Sequence, residues 1–148
     1  MLTEAARLCI TAAGVFFAAA LATGVWKYAQ MATRASAQAH PYVDICHRTA
    51  LMYSFAALLL AVFAQFSAWS DTVNWWAAAL PLAFFAQAIV TYGLHGWLED
   101  TDNQFRKPHR LGRATLPGAL IHAAMLALVV GEIGGFGVLF AGTLNALW

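Results

Sequence analysis

Charge is what this chain has least of. Its 8 basic and 7 acidic residues make up only 10% of the 148 positions, where a soluble domain usually carries about 25%. Water is therefore not its main solvent. A formal net charge of +1 argues against nucleic acid as a partner, because phosphate binding calls for a basic stripe. Cysteine is almost as scarce. Cys9 and Cys46 form no disulfide framework and no Cys-x-x-Cys metal or haem-attachment signature, and they read as packed small residues. Also missing are a His-Glu-x-x-His pair, a di-iron carboxylate–histidine set, a nucleophile elbow and a Gly-rich phosphate loop. There is no internal repeat, no low-complexity tract and no separate soluble domain.

Long uncharged runs are what the chain does have. They cover Leu8 to Trp26, Thr49 to Ser70, Thr72 to Leu98, and Ala114 to Trp148 with Glu132 as the one interruption. Each exceeds the roughly 18 apolar residues that mark a spanning-helix candidate, and none has a continuous polar face. The expected fold is all-α, an integral membrane bundle of four transmembrane helices. It forms one domain over residues 1–148, with helices at approximately 7–30, 48–69, 73–97 and 115–143. Ala37-Gln38-Ala39 resembles a signal cleavage site, but it lies too far past the first apolar run, beyond Lys27 and Arg34. The first run therefore stays a helix.

Lys27, Arg34 and Arg48 flank the first connection, and Arg106, Lys107, Arg110 and Arg113 lie in the third. The positive-inside rule places both connections in the cytoplasm and both termini outside. In a bacterium this would be a multi-pass inner-membrane protein. Trp69, Trp75 and Trp76 fit an interfacial belt at one face, Trp26 and Tyr28 at the other. Pro81 should bend the third helix, Pro117 suits a first turn, and Gly131, Gly134, Gly135 and Gly137 would admit close helix approach in lipid.

All five histidines fall toward one side of this arrangement. His47 is expected at the mouth of the second helix, with Tyr53 roughly 9 Å deeper at 1.5 Å per residue. The third helix returns Tyr92 and His95 to the level of His47, and His122 enters on the fourth. Ionisable groups at such depth are functional-site candidates. Neutral imidazole is a common transition-metal ligand and a proximal haem ligand, so His47, His95 and His122 are candidate cofactor ligands. Tyr92 and Tyr53 could donate hydrogen bonds to substrate, and Glu99 could fix the tautomer of His95. The bland readings make His47 and His95 interfacial, and His40 and His109 solvated loop residues. Glu132 is too far along its helix to share a site with His122. Zinc, copper and bis-His haem all remain compatible with these residues.

Two segments carry a resemblance. One is Cys46-His47-Arg48-Thr49-Ala50-Leu51-Met52-Tyr53, the other Ile89-Val90-Thr91-Tyr92-Gly93-Leu94-His95. With His47 and Tyr92 separated by 92 − 47 = 45 positions, the chain resembles the styrene oxide isomerases and, more distantly, the hydroxylaminobenzene mutases. The residue-level likeness is confined to about residues 40–98. The resemblance implies a ferric haem b between subunits of a homotrimer, with His47 as axial ligand and the iron serving as a Lewis acid. Tyr92 would assist a small apolar aryl epoxide, drawn from the membrane lipids, in its rearrangement to an aldehyde. The family's helix-2 Asn has no counterpart, and Tyr53 stands in its place. His40 competes with His47 as ligand. The other readings are a bis-His membrane cytochrome or haem sensor, and a non-catalytic membrane subunit.

Overall fold

The computed structural model describes all of residues 1–148. Four long helices follow one another as α1 (Glu4–Thr33), α2 (Pro41–Phe66), α3 (Asp71–Leu98) and α4 (Gly118–Leu147). Each is long and apolar enough to cross a membrane. The fold is an all-α four-helix membrane bundle, as the apolar runs predict. Its outer surface is apolar too: Phe55, Val90, Leu126 and Ile133 stand exposed, as side chains facing lipid should.

Small residues set the closeness of α1 and α2. Ala6, Cys9, Ala13, Phe16 and Ala20 repeat at three- and four-residue steps and are buried on α1. Val43, Cys46, Ala50, Ala57 and Ala64 are buried on α2 at steps of three, four and seven residues, again along one face. Such seams let helices approach closely in lipid, where no hydrophobic force drives them together. Polar groups lock the antiparallel register at both ends. The Thr3 amide donates to Gln65 Oε1 at 3.0 Å, and the His40 amide donates to Gln30 Oε1 at 2.8 Å. Both cysteines are buried and free, in keeping with a packing role, and Cys46 Sγ donates to the Ile89 carbonyl of α3.

The second helix begins at Pro41, seven residues before its expected start at 48. The uncharged run does not set this boundary. Pro41 occupies the first turn, where its missing N–H is no loss, and His40 Nδ1 caps the helix by accepting from the Tyr42 amide. Asp44 then sits in that first turn between Lys27 at 2.6 Å and Arg48 at 2.8 Å. His40 is thus a half-buried cap rather than a solvated loop residue, and His47 lies well inside the helix.

Pro81 cannot donate to the Ala77 carbonyl, four residues back. The fourth helix lays its backbone there: a Cβ on Gly135 would stand 2.5 Å from the Ala77 oxygen and 2.6 Å from the Pro81 ring. Gly131 makes room in the same way for the Phe84 ring, whereas Gly134 and Gly137 face open space. Close approach therefore holds for two of the four predicted glycines. The C-terminal end of α4 is tied down by hydrogen bonds. Thr143 Oγ1 donates to the Phe63 carbonyl at 3.0 Å, and Trp69 Nε1 donates to the Val138 carbonyl at 2.9 Å. By contrast, no residue of its N-terminal part, 118–130, is buried.

The third connection is an ordered cap. Arg110–Leu111 (β1) pairs antiparallel with Ala114–Thr115 (β2) around Gly112, whose φ of +60° suits the turn. This ladder claims residues 114 and 115, so α4 starts at Gly118 instead of 115, with Pro117 as its N-cap.

Candidate functional site

The predicted meeting of His47, His95 and His122 does not occur within one chain. His47 turns toward α1, where Nδ1 lies 2.8 Å from the Ala20 carbonyl oxygen. Gly24, one turn further along α1, packs on the same ring: a Cβ there would meet His47 Cε1 at 3.0 Å. A carbonyl can only accept, so Nδ1 must carry the proton and Nε2 keeps its lone pair. The ring is half-buried, and Nε2 makes no hydrogen bond within the chain. Further along this α1–α2 face is an apolar groove of about 420 Å³, lined by Gly14, Phe17, Ser54, Phe55 and Leu58 among others. Ser54 follows His47 by two helical turns and so shares its face of α2.

Tyr92 and His95 do lie on one face of α3, as their spacing predicts, and both meet a residue the sequence reading passed over. The Tyr42 ring is centred 5.7 Å from Tyr92 and 5.0 Å from His95. Tyr42 Oη also accepts from the Gln104 amide at 2.6 Å, tying α2 to the cap. His95 is held by Asp100 and not by Glu99: His95 Nδ1 lies 2.8 Å from Asp100 Oδ1, both side chains being buried. Glu99 ends α3 in the left-handed conformation, and its carboxylate turns to Arg34 and Gln30. Burial alone would raise the Asp100 carboxyl, but the bonds from His95 and from the Gly112 amide outweigh it and hold Asp100 below the usual carboxylate range.

His109 is buried, against the expectation of a solvated loop residue. Its Nδ1 lies 3.0 Å from the Gln104 carbonyl and its Nε2 has no partner. His122 is exposed on α4 with its ring centred 6.4 Å from that of His109. A cavity of about 240 Å³ lies between α3, the cap and the loose start of α4, bordered by Thr91, His95, His109, Leu120 and Met125. Nowhere in the chain do three histidine, cysteine or acidic side chains gather as a multi-ligand metal site requires. His47, His95 and His122 thus stand apart, at the α1–α2 face, beside the cap and on the α4 surface.

Tyr53 completes a third cluster. Its ring stacks on Phe85 with centroids 4.0 Å apart, and its hydroxyl faces the Glu132 carboxyl of α4. Tyr92 lies near enough for Glu132 to influence it as well. The two phenols singled out in the sequence thus belong together, and Glu132 joins them rather than His122. Six residues along an α-helix is a rotation of about 120° net, so Tyr53 and His47 leave α2 in different directions.

Comparison with protein-family models, with curated proteins and with solved structures finds no match to this chain.

Proposed function

We propose that the chain is a membrane-embedded isomerase that uses a ferric haem b, held through His47, to convert a small apolar aryl epoxide into an aldehyde. The observation that carries this reading is the Ala20 carbonyl on His47 Nδ1. It fixes the tautomer whose Nε2 is a free base, the form in which imidazole ligates iron, with a backbone carbonyl as its outer partner. Gly24 supplies the close backbone approach that this orientation needs. The apolar groove on the same face suits a flat, greasy group lying between protein and lipid. His40 is the weaker candidate, because its Nδ1 is occupied as the acceptor of the α2 cap.

When bound, ferric iron supplies Lewis acidity toward the epoxide oxygen. The chain's own residues supply the surroundings. His47 holds the group, and the Tyr92 hydroxyl is available to donate a hydrogen bond to an oxygen of the substrate, whereas the Tyr53 hydroxyl must leave Glu132 to do so. The apolar walls around Phe85 keep water away from a reactive cation, which would otherwise be captured as a diol. Because His47 and the phenols diverge around α2, one copy cannot present all three to a single substrate. A homo-oligomer, a trimer by resemblance, completes the site between copies. The unburied start of α4 offers surface for such contacts. A bis-His cytochrome would likewise need a second copy, since His95 is engaged by Asp100 and His122 lies beside His109.

Both termini end on the face of the bundle that holds the α2–α3 connection. The basic first and third connections then put that face outside, at the bacterial inner membrane if the source is a bacterium. The test is the absorption spectrum of the full chain expressed with ample haem, beside His47→Ala, with product analysis on a panel of aryl epoxides. A Soret band lost in His47→Ala and aldehyde formation by the wild type are expected. A wild type with no Soret band ends the proposal.

A further inference from the structure

Glu132 is the one acidic residue within a span that has no basic partner. Asp44 is neutralised by Lys27 and Arg48, Glu4 and Asp71 lie at helix starts, and the remaining acids belong to the region from Glu99 onward. No salt bridge reaches Glu132; the Tyr53 hydroxyl faces its carboxyl, and its Oε1 is enclosed with no hydrogen-bond partner within normal distance. An orphaned carboxylate oxygen in hydrocarbon is costly, and it marks a site that something else satisfies.

Glu132 lines a cavity of about 260 Å³ between α2, α3 and α4, walled by Leu59, Leu60, Pro81, Phe85, Ile133 and Phe136. Leu59, Ile133 and Phe136 are exposed on the lipid-facing surface, so the cavity is entered from the bilayer. Phe85 is stacked on Tyr53 and Phe136 on Phe140, which makes the aromatic walls rigid. A carboxyl acceptor beside aromatic rings in an apolar hollow is complementary to one chemistry: a hydrogen-bond donor carrying positive charge on a greasy body. The carboxylate takes the N–H, the ring faces attract the charge, and the aliphatic walls cover the rest. The volume falls just below the roughly 300–1,000 Å³ of drug-sized pockets, which limits the body to about one ring.

We propose that the α2–α3–α4 cavity is a binding site for a small apolar amine, bound as its ammonium ion by the Glu132 carboxylate and the surrounding rings. The site shares Phe85 with the walls proposed to surround the epoxide, but it stands apart from His47 and does not depend on iron.

The test is calorimetric titration of the haem-free full chain in detergent micelles with 2-phenylethylamine, using empty micelles as the blank. Saturable binding at one site per chain is expected, with 2-phenylethanol at least tenfold weaker, since the alcohol keeps the ring but lacks the charge. Glu132→Gln should bind the amine at least tenfold more weakly and no longer distinguish amine from alcohol. Gly134→Ala, on the open face of α4, should retain the wild-type preference. A wild type that treats the two probes alike, or binds neither because a second copy fills the cavity, overturns the proposal. So does a Glu132→Gln variant with undiminished amine affinity. The wild-type comparison of the two probes stands without any variant, so misfolding of Glu132→Gln cannot shelter the idea.

Discussion

Gly24 offers a sharp probe of how His47 is held. A methyl group there would stand 3.0 Å from His47 Cε1 and 3.2 Å from Nδ1, whereas unstrained carbon contacts lie at about 3.5–4.0 Å. In Gly24→Ala the ring must therefore recede by about 0.5 Å. Starting from 2.8 Å, the Nδ1–Ala20 bond would lengthen to about 3.3 Å, past the usual N–H···O range. Losing such a bond costs about 0.5–1.5 kcal/mol, while replacing glycine by alanine inside a helix returns about 1 kcal/mol. The two offset, so thermal unfolding in detergent should barely move. Nitrogen-15 NMR of labelled histidine should still respond. The wild type should show His47 protonated at Nδ1. Gly24→Val, which displaces the ring altogether, should mix the tautomers and weaken any haem affinity. A wild-type His47 protonated at Nε2 would refute the reasoning outright, because its lone pair would then face α1 rather than outward.

Gly135→Ala should destabilise the α3–α4 contact by about 1–3 kcal/mol, the range for overpacking, while Gly134→Ala should be neutral or slightly stabilising; melting temperatures of the pair measure the contrast. Asp100 is held below its ordinary range, so its contribution to stability is complete above the unfolded value of about 3.9. That contribution is lost as pH falls through the folded value. Asp100→Asn should therefore cost about 1.5–3 kcal/mol at neutral pH and flatten the acid limb of the stability curve, with residues 99–117 exchanging amide hydrogens faster. Tyr92→Phe should keep the fold and haem content while lowering aldehyde formation at least tenfold; unchanged turnover removes Tyr92 from the site.

The bundle was legible because hydrocarbon imposes one simple rule on sequence, and four uncharged runs obey it. Helix ends were less so. Scanning for uncharged stretches stops at Arg48, yet Asp44 and Lys27 neutralise one another and allow α2 to reach back to Pro41. The signals were present: a proline followed by an acid in the first turn marks a helix start. The shared face of Tyr92 and His95 follows from their three-residue spacing, but depth along a helix says nothing of rotation about its axis, which matters for His47 and Tyr53. Helical phase separates them, and depth alone had joined them. The cap over residues 99–117 is not legible in the sequence because its order comes from Asp100, Tyr42 and His109, whose partners lie on other segments. Glu132 stands out as the one charge in the fourth apolar run, but its neighbour Tyr53 is on a different helix and cannot be found from α4 alone.

Of the seventeen residues in the continuous apolar core, α4 contributes only Leu139. The first three helices to leave the ribosome can thus settle their mutual contacts before the last is made. The fourth then joins a preformed surface, guided by glycine gaps and a few hydrogen bonds at its far end. A chain ending near residue 112 should consequently still insert and hold its three-helix arrangement, while lacking every property that depends on Glu132. That final segment could be exchanged or retuned with little disturbance to the remainder.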